Sequence, residues 1–127
     1  MGTRTRQRTG SGRRVARIAT PAIVVVLTIV VGATAAFAVE RVRASGTSFR
    51  PRKVEVSVGE RVVWRSTDGT HTVTSYRGDW NKDTTINEGE RTRFTFDEAG
   101  RYKYRCTLHS SLSDGQCSGM CGTVVVG

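Results

Sequence analysis

The sequence is poor in the residues and motifs that build most catalytic and nucleotide-binding sites. Its 127 residues include two histidines, two methionines and three cysteines. It has no glycine-rich phosphate loop, no serine nucleophile elbow and no internal repeat. No acid–base pair is visible either, so nothing in the sequence indicates an enzyme. The few residues that bind soft metals therefore carry most of the functional information.

Acidic residues are almost missing from the first third of the chain, where the basic charge is concentrated. Residues 1–43 carry eight arginines and one acidic residue, Glu40. Residues 44–127 carry twelve basic and ten acidic residues, so this part is nearly balanced. The formal net charge of +9 thus belongs mainly to the start of the chain, which opens with a basic tail, residues 1–18. The segment after the tail is not a nucleic-acid-binding module, so we expect no nucleic-acid partner.

Charge is absent from residues 19–39, which read ATPAIVVVLTIVVGATAAFAV. A helix of this length would be about 31 Å long, close to the hydrocarbon thickness of a bilayer. The arginines before it predict that the N-terminus stays inside and the rest of the chain lies outside the cytoplasmic membrane. The segment also fits a secretory signal peptide, with a basic start, an apolar middle and a small-residue end. A transmembrane anchor and a cleaved signal both remain open.

Beyond a short linker, residues 40–46, apolar and polar residues alternate between turn signals. This period-two pattern predicts strands separated by glycine-containing and acidic turns. The predicted strands cover residues 54–58, 61–65, 71–74, 91–96, 101–106 and 123–126, with a further short strand around Phe49. Residues 47–127 are therefore expected to form an all-β antiparallel sandwich or barrel of seven or eight strands.

Four residues that favour soft metals are placed where strands begin and end. His71 opens a predicted strand directly after a turn, and His109 follows Cys106 by three residues at the end of another. Strand ends at the same pole of a sandwich come together, so the two imidazoles and the thiolate are expected to meet. Met120 adds a thioether. Two histidines and a cysteine with a weak axial methionine suit copper.

Residues 47–127 resemble the cupredoxins, most closely the small plastocyanin-like and amicyanin-like members. The resemblance rests on GRYKYRCTLH at 100–109, on GMCGTVVV at 119–126 and on the residues at 49–51, 54–59, 62–64 and 71–73. It implies a Greek-key β-sandwich that holds one type 1 blue-copper ion. By the same resemblance the copper ligands are His71, Cys106, His109 and Met120.

Two positions depart from the pattern of the small cupredoxins. Ten residues, SSLSDGQCSG, separate His109 from Met120, where the small members usually have two to four. This loop is expected to bulge outward before it returns Met120 to the metal. The residue after the first histidine is Thr72, where the family commonly has asparagine. We expect Thr72 to connect the ligand-bearing loops differently, with its backbone N–H directed at the Cys106 sulfur.

The two remaining cysteines, Cys117 and Cys121, bracket Met120. Outside the membrane a close pair of thiols tends to oxidise, and a disulfide between them leaves one cysteine for the metal. Such a bridge needs a turn, because residues four apart in an extended strand are too distant. The alternative is that both cysteines bind metal: with Cys106 and His109 they would form a closed zinc site in a binding module.

The resemblance implies a protein that carries single electrons between redox proteins of unknown identity. The apolar segment implies that it is exported, and we expect a monomer. In the resembling proteins the C-terminal histidine ligand is the usual electron port. Here that residue is His109, with Leu108 and Leu112 as candidates for an apolar docking rim. A copper carrier or scavenger outside the membrane is the second interpretation, although the chain is poor in methionine. An uncleaved N-terminal segment would make the membrane a further partner.

Overall fold

The computed structural model describes residues 2–3, 10, 12, 15–26 and 36–127. The chain divides into two units, Met1–Ala33 and Thr34–Gly127. The described residues of the first unit have no regular secondary structure. The middle of the expected anchor or signal, residues 27–35, and most of the basic tail lie outside the described residues. Within the ranges that are described, no helix is long and apolar enough to cross a membrane.

The second unit is built from strands, as the alternating pattern predicts. They are β1 (Val39–Ser45), β2 (Ser48–Arg50), β3 (Lys53–Val56), β4 (Arg61–Ser66), β5 (His71–Ser75), β6 (Asp83–Ile86), β7 (Arg91–Thr95), β8 (Gly100–Ser113) and β9 (Gln116–Val126). A single 3-10 turn, Tyr76–Gly78, is the only helical element in residues 36–127. The all-β prediction is confirmed for this unit, with nine strands rather than seven or eight.

The strands form two sheets that enclose one core. The first has the order β2-β1-β4-β7 and the second the order β3-β9-β8-β5-β6. Two pairs are parallel, β1 with β4 and β3 with β9. The expectation of a purely antiparallel arrangement is therefore wrong at these pairs. Each of them joins strands that are not consecutive in the chain, so no hairpin turn determines their direction.

Residues 40–46, expected to be a linker, form most of β1. Val42 and Ala44 are fully buried, while Arg41 and Arg43 between them are exposed. This alternation is typical of a strand. It is short and directly follows the apolar run at 19–39, so it is hard to recognise as a separate strand from the sequence. The sheets begin at Val39, ahead of residue 47 where the domain was expected to start.

The core between the sheets is rich in aromatic rings. Trp64 and Tyr104 are fully buried and meet edge to face, with ring centroids 5.3 Å apart. Trp80 closes one side of the core, and its indole N–H donates to the carbonyl of Lys103 at 2.9 Å. Among the described residues, all members of this core lie in the segment from Val42 to Val126. Residues 36–127 therefore have a complete core of their own and form an independent folding unit.

The two longest strands, β8 and β9, form a hairpin that contains the ten residues between His109 and Met120. The hairpin turns at Asp114 and Gly115, whose φ angles are 50° and 77°. Positive φ at both central residues is the signature of a two-residue type I′ turn, which Asp-Gly favours. The segment thus leaves and returns as paired strands, so the expected outward excursion takes the form of a hairpin rather than an irregular loop.

Candidate metal centre

Three of the predicted metal ligands meet in the second sheet. His71 on β5 and Cys106 and His109 on β8 each offer one ligand atom, and these atoms lie within 4.8 Å of one another. His71 and Cys106 are 2% and 0% exposed, whereas His109 is half-buried. The Cys106 Sγ lies 3.3 Å from Nδ1 of His109. The structure therefore brings together the two histidines and the cysteine that the sequence singles out.

Cys106 and His109 lie in an interruption of the β8–β9 ladder. Pairing is regular up to Arg105 opposite Cys121, and it resumes with Ser110 opposite Gly119. Four residues of β8, 106–109, therefore stand opposite the single residue Met120 of β9. Such a bulge redirects side chains that a regular strand would send to alternate faces. It explains how a thiol and an imidazole three residues apart reach one point.

Met120 lies directly across from this bulge and is fully buried. Its neighbour Gly119 packs tightly against the bulge, because a Cβ there would lie 2.4 Å from the carbonyl oxygen of His109. Gly119 also has a φ of +94°, which side chains strongly disfavour. The register of the hairpin, together with this close approach, places Met120 opposite the segment that carries Cys106 and His109. Ligation by its thioether stays a prediction.

The imidazole of His71 is held in one tautomer by the turn before β5. Its Nε2 lies 2.7 Å from the carbonyl oxygen of Asp68 and 3.1 Å from the Oδ1 of the same residue. Both oxygens accept, so the proton is on Nε2. The other nitrogen, Nδ1, is then an acceptor, and it is buried with no hydrogen-bond partner. A lone pair buried without a partner is costly, and a metal ion beside Cys106 and His109 would satisfy it.

Asp68 is a residue of this site that the sequence analysis does not single out. Its carboxylate accepts hydrogen bonds from the backbone N–H of Gly46 at 2.9 Å and from the Ser45 hydroxyl at 2.8 Å. These two bonds, with the weaker effect of His71, lower the pKa of Asp68. An ionised carboxylate behind a histidine ligand fixes the orientation of its ring. The signal was an acid three residues before His71 in an Asp-Gly turn, which was read only as a turn.

Thr72 connects β5 to the bulge in two ways. Its backbone N–H donates to the Cys106 sulfur at 3.3 Å, as the sequence predicts. Its hydroxyl oxygen accepts the backbone N–H of Thr107 at 2.8 Å and lies 3.2 Å from the Thr107 hydroxyl. Thr107 was not singled out from the sequence. Thr72 thus joins the two ligand-bearing segments at the position where asparagine is common.

Cys117 and Cys121 form a disulfide bond, with their Cα atoms 6.1 Å apart. Both lie in β9, where four residue steps of extended strand would span about 13 Å. The strand must therefore bend sharply between them, at the position of Gly119. The third cysteine, Cys106, is free. The alternative zinc site built on Cys106, His109 and these two cysteines is therefore wrong, because two of its thiolates are joined to each other.

The predicted docking residues lie close to one another on β8: Leu108 and His109 at the end of the bulge, and Leu112 three residues later. Leu108 is 59% exposed and immediately precedes the half-buried His109. Leu112 is half-buried on the hairpin, opposite Cys117. His109 is more accessible than His71 or Cys106, so a partner that approaches this surface meets His109 first. The roles of these three residues in docking stay predictions.

Comparisons with a family model and with solved structures both find copper-binding proteins. The family model described as copper binding proteins, plastocyanin/azurin family, matches residues 36–127. A purple cupredoxin from Nitrosopumilus maritimus is 24% identical over 69% of this chain and 99% of its own, with a TM-score of 0.55. A variant of amicyanin in its reduced Cu(I) form at pH 4 is 27% identical over 75% of this chain and 88% of its own, with a TM-score of 0.59.

A copper-containing nitrite reductase from Thermus scotoductus SA-01 is 26% identical over 78% of this chain but only 25% of its own, with a TM-score of 0.59. Its similarity to this chain is thus confined to about a quarter of the reductase. No curated protein matches the chain.

Proposed function

The chain belongs to the plastocyanin/azurin family of copper-binding proteins, and on this basis we propose that it carries single electrons between redox proteins. The observation that carries the proposal is the buried, unpartnered Nδ1 of His71 beside the donors of Cys106 and His109. Two imidazoles and one thiolate are the donors that suit copper in this family. When bound, copper supplies a one-electron couple, and the chain supplies the donors and the contacts that hold them.

The donors are held in place by contacts that do not depend on the metal. Asp68 fixes the ring of His71, the backbone N–H of Thr72 binds the Cys106 sulfur, and Gly119 packs on the backbone of His109. A donor set that is fixed by its surroundings rearranges little when the charge at its centre changes. Low rearrangement is the property that a carrier of single electrons needs.

The path of the electron is proposed to run through His109. Of the three donors that the structure brings together, it alone is partly exposed, and Leu108 beside it offers an apolar contact at the surface. A partner that packs on Leu108 excludes water next to the imidazole. The similarity to nitrite reductase spans only a quarter of that enzyme, so we do not carry its activity over to this chain.

We further propose that the domain works outside the cytoplasmic membrane. The apolar run at 19–39 with arginines before it supports export. The bond between Cys117 and Cys121 supports it independently, because disulfides persist in oxidising compartments and are rare in the cytosol.

Copper loading followed by voltammetry tests the function. Residues 36–127 loaded with Cu(II) should show intense thiolate charge-transfer absorption at about 600 nm and a reversible one-electron wave. Cys106→Ser should lose the band, whereas Thr85→Val, in a strand next to the site, should keep it. A colourless copper complex would contradict the copper site itself.

The same samples distinguish an electron carrier from a copper carrier or scavenger. A carrier of electrons should keep its copper through repeated reduction and reoxidation in the presence of a Cu(I) chelator. Loss of most of the copper to the chelator in the first reduction would favour metal delivery instead.

A further inference from the structure

The outer face of the sheet β2-β1-β4-β7 carries an unusual concentration of positive charge. Its strands send alternate residues to the core and to solvent. Seven of the outward residues are exposed arginines, and together they are called the arginine face: Arg41, Arg43, Arg50, Arg61, Arg65, Arg91 and Arg93. The outward positions of these strands include no aspartate or glutamate.

Four of these arginines stand directly opposite one another across all four strands. Arg43 pairs with Arg50 on one side and with Arg65 on the other, and Arg65 pairs with Arg91. Adjacent strands are about 4.8 Å apart, so like charges at paired positions repel. None of the four side chains makes an ion pair or a hydrogen bond with the described part of the chain. Like charges at paired positions are expected to cost stability, and within the described residues this arginine row has no acidic partner.

The near balance of charge in the folded part conceals this face. From the sequence, Arg41 and Arg43 are counted with the basic residues 1–43 and assigned to the linker, but both belong to β1. The acidic residues of the domain lie in turns and loops, near a strand end or on the other sheet. Asp68 lies in a turn, Glu40 is the second residue of β1, and Glu55 lies on β3 of the other sheet. Positive and negative charges are thus separated on the surface, and separated charge directs association.

We propose that the arginine face binds the anionic phospholipid surface of the membrane. Guanidinium groups pair with phosphate, and binding to a charged bilayer surface needs no apolar centre. The face has almost none: Val39 and Val63 are its only apolar residues. Protein interfaces usually have an aromatic or apolar core depleted of charge. Single-stranded nucleic acids are bound through stacked aromatic rings, and the face has none.

The position of β1 in the chain supports a lipid partner. The strand starts where the apolar run at 19–39 ends, and Arg41 follows the end of that run by two residues. This support rests on the proposed export, in which the run enters the membrane. The metal-binding residues all lie on strands of the other sheet. Lipid binding by the arginine face therefore leaves His109 free for a redox partner.

Vesicle sedimentation tests the proposal on residues 36–127, which have a complete core of their own. The protein is mixed with vesicles of phosphatidylcholine alone, or of phosphatidylcholine with phosphatidylglycerol. One variant replaces the arginine row with glutamine. The matched control replaces four basic residues of the other sheet with glutamine and so removes the same charge. They are Arg52, which directly precedes β3, Lys53 on β3, and Arg101 and Lys103 on β8. The copper band of each variant shows that it is folded and loaded.

The wild-type domain should sediment with the anionic vesicles and not with the neutral ones, and added salt should release it. Each arginine at an anionic surface strengthens binding roughly fivefold. The row variant should therefore bind at least about a hundredfold more weakly, while the control loses much less. No sedimentation, or equal losses in both variants, would overturn the proposal. Tighter binding to polyglutamate or to duplex DNA would assign the face to another partner. Sedimentation does not depend on electron transfer, so failure of the lipid-binding proposal and failure of the proposed function can be distinguished.

Discussion

Replacement of Thr72 by valine tests how the two ligand-bearing segments are held together. The Thr72 hydroxyl accepts hydrogen bonds from the N–H of Thr107 at 2.8 Å and from the hydroxyl of Thr74 at 3.0 Å. Valine has nearly the same shape, so the packing at this buried position is kept. Both accepted hydrogen bonds are lost, as is the 3.2 Å contact with the Thr107 hydroxyl. The backbone N–H that binds the Cys106 sulfur is unaffected.

The Thr107 N–H accounts for most of the expected loss. A partly buried donor left without an acceptor costs about 1–2 kcal/mol. Thr74 loses less, because its hydroxyl also lies 2.9 Å from the carboxylate of Asp83. For a domain of this size, such a loss lowers the thermal midpoint by roughly 5–15 °C. Since Thr107 follows Cys106 directly, the charge-transfer band of the copper form should also shift.

Thermal unfolding of the copper-free domain measures this effect without a contribution from metal affinity. Thr85→Val is the matched control, because Thr85 stands opposite Thr72 in the β5–β6 ladder and is exposed. Its hydroxyl makes no hydrogen bond within residues 36–127, so its midpoint should stay within about 2 °C of the wild type. Equal midpoints for Thr72→Val and Thr85→Val would refute the role assigned to the Thr72 hydroxyl.

Three further changes probe the hairpin, the disulfide and the arginine row. Gly119→Ala should lower stability by about 1–3 kcal/mol and alter the copper spectrum, because its methyl group meets the His109 carbonyl at a positive φ; an unchanged spectrum would contradict the close approach. Serine at both Cys117 and Cys121 should keep the blue band and lower stability by about 2 kcal/mol, and loss of the band would show that these cysteines bind the metal. Arg65→Gln should raise the thermal midpoint by roughly 2–6 °C, because it removes two like-charge contacts; a lower midpoint would mean that the row has an internal partner.

The metal-binding residues could be predicted from the sequence because their chemistry is scarce. With two histidines and three cysteines in the chain, few combinations satisfy a soft metal, and strand ends bring His71 to Cys106 and His109. The strands beside them are equally visible, since each alternates between turns. The disulfide followed from the number of cysteines rather than from geometry.

Other features depend on pairing between distant strands, which local patterns do not contain. The parallel pairing of β1 with β4 is one case, and the arginine row, which exists only in that register, is another. The contact between Asp68 and the imidazole of His71 is formed by the fold of the turn between them, so it is visible only in the three-dimensional structure. The hairpin tip is different: Asp114-Gly115 is a strong local signal for a type I′ turn, and it was overlooked.

X-ray absorption at the copper edge of the loaded domain is the sharpest test of the metal centre, because it counts the atoms bound to the metal. We predict one sulfur at thiolate distance from Cys106 and two nitrogens from His71 and His109, with any second sulfur long and weak. Loss of one nitrogen in His71→Ala should leave the sulfur in place. Copper bound only by nitrogen and oxygen, or by two thiolates, would contradict the proposed site.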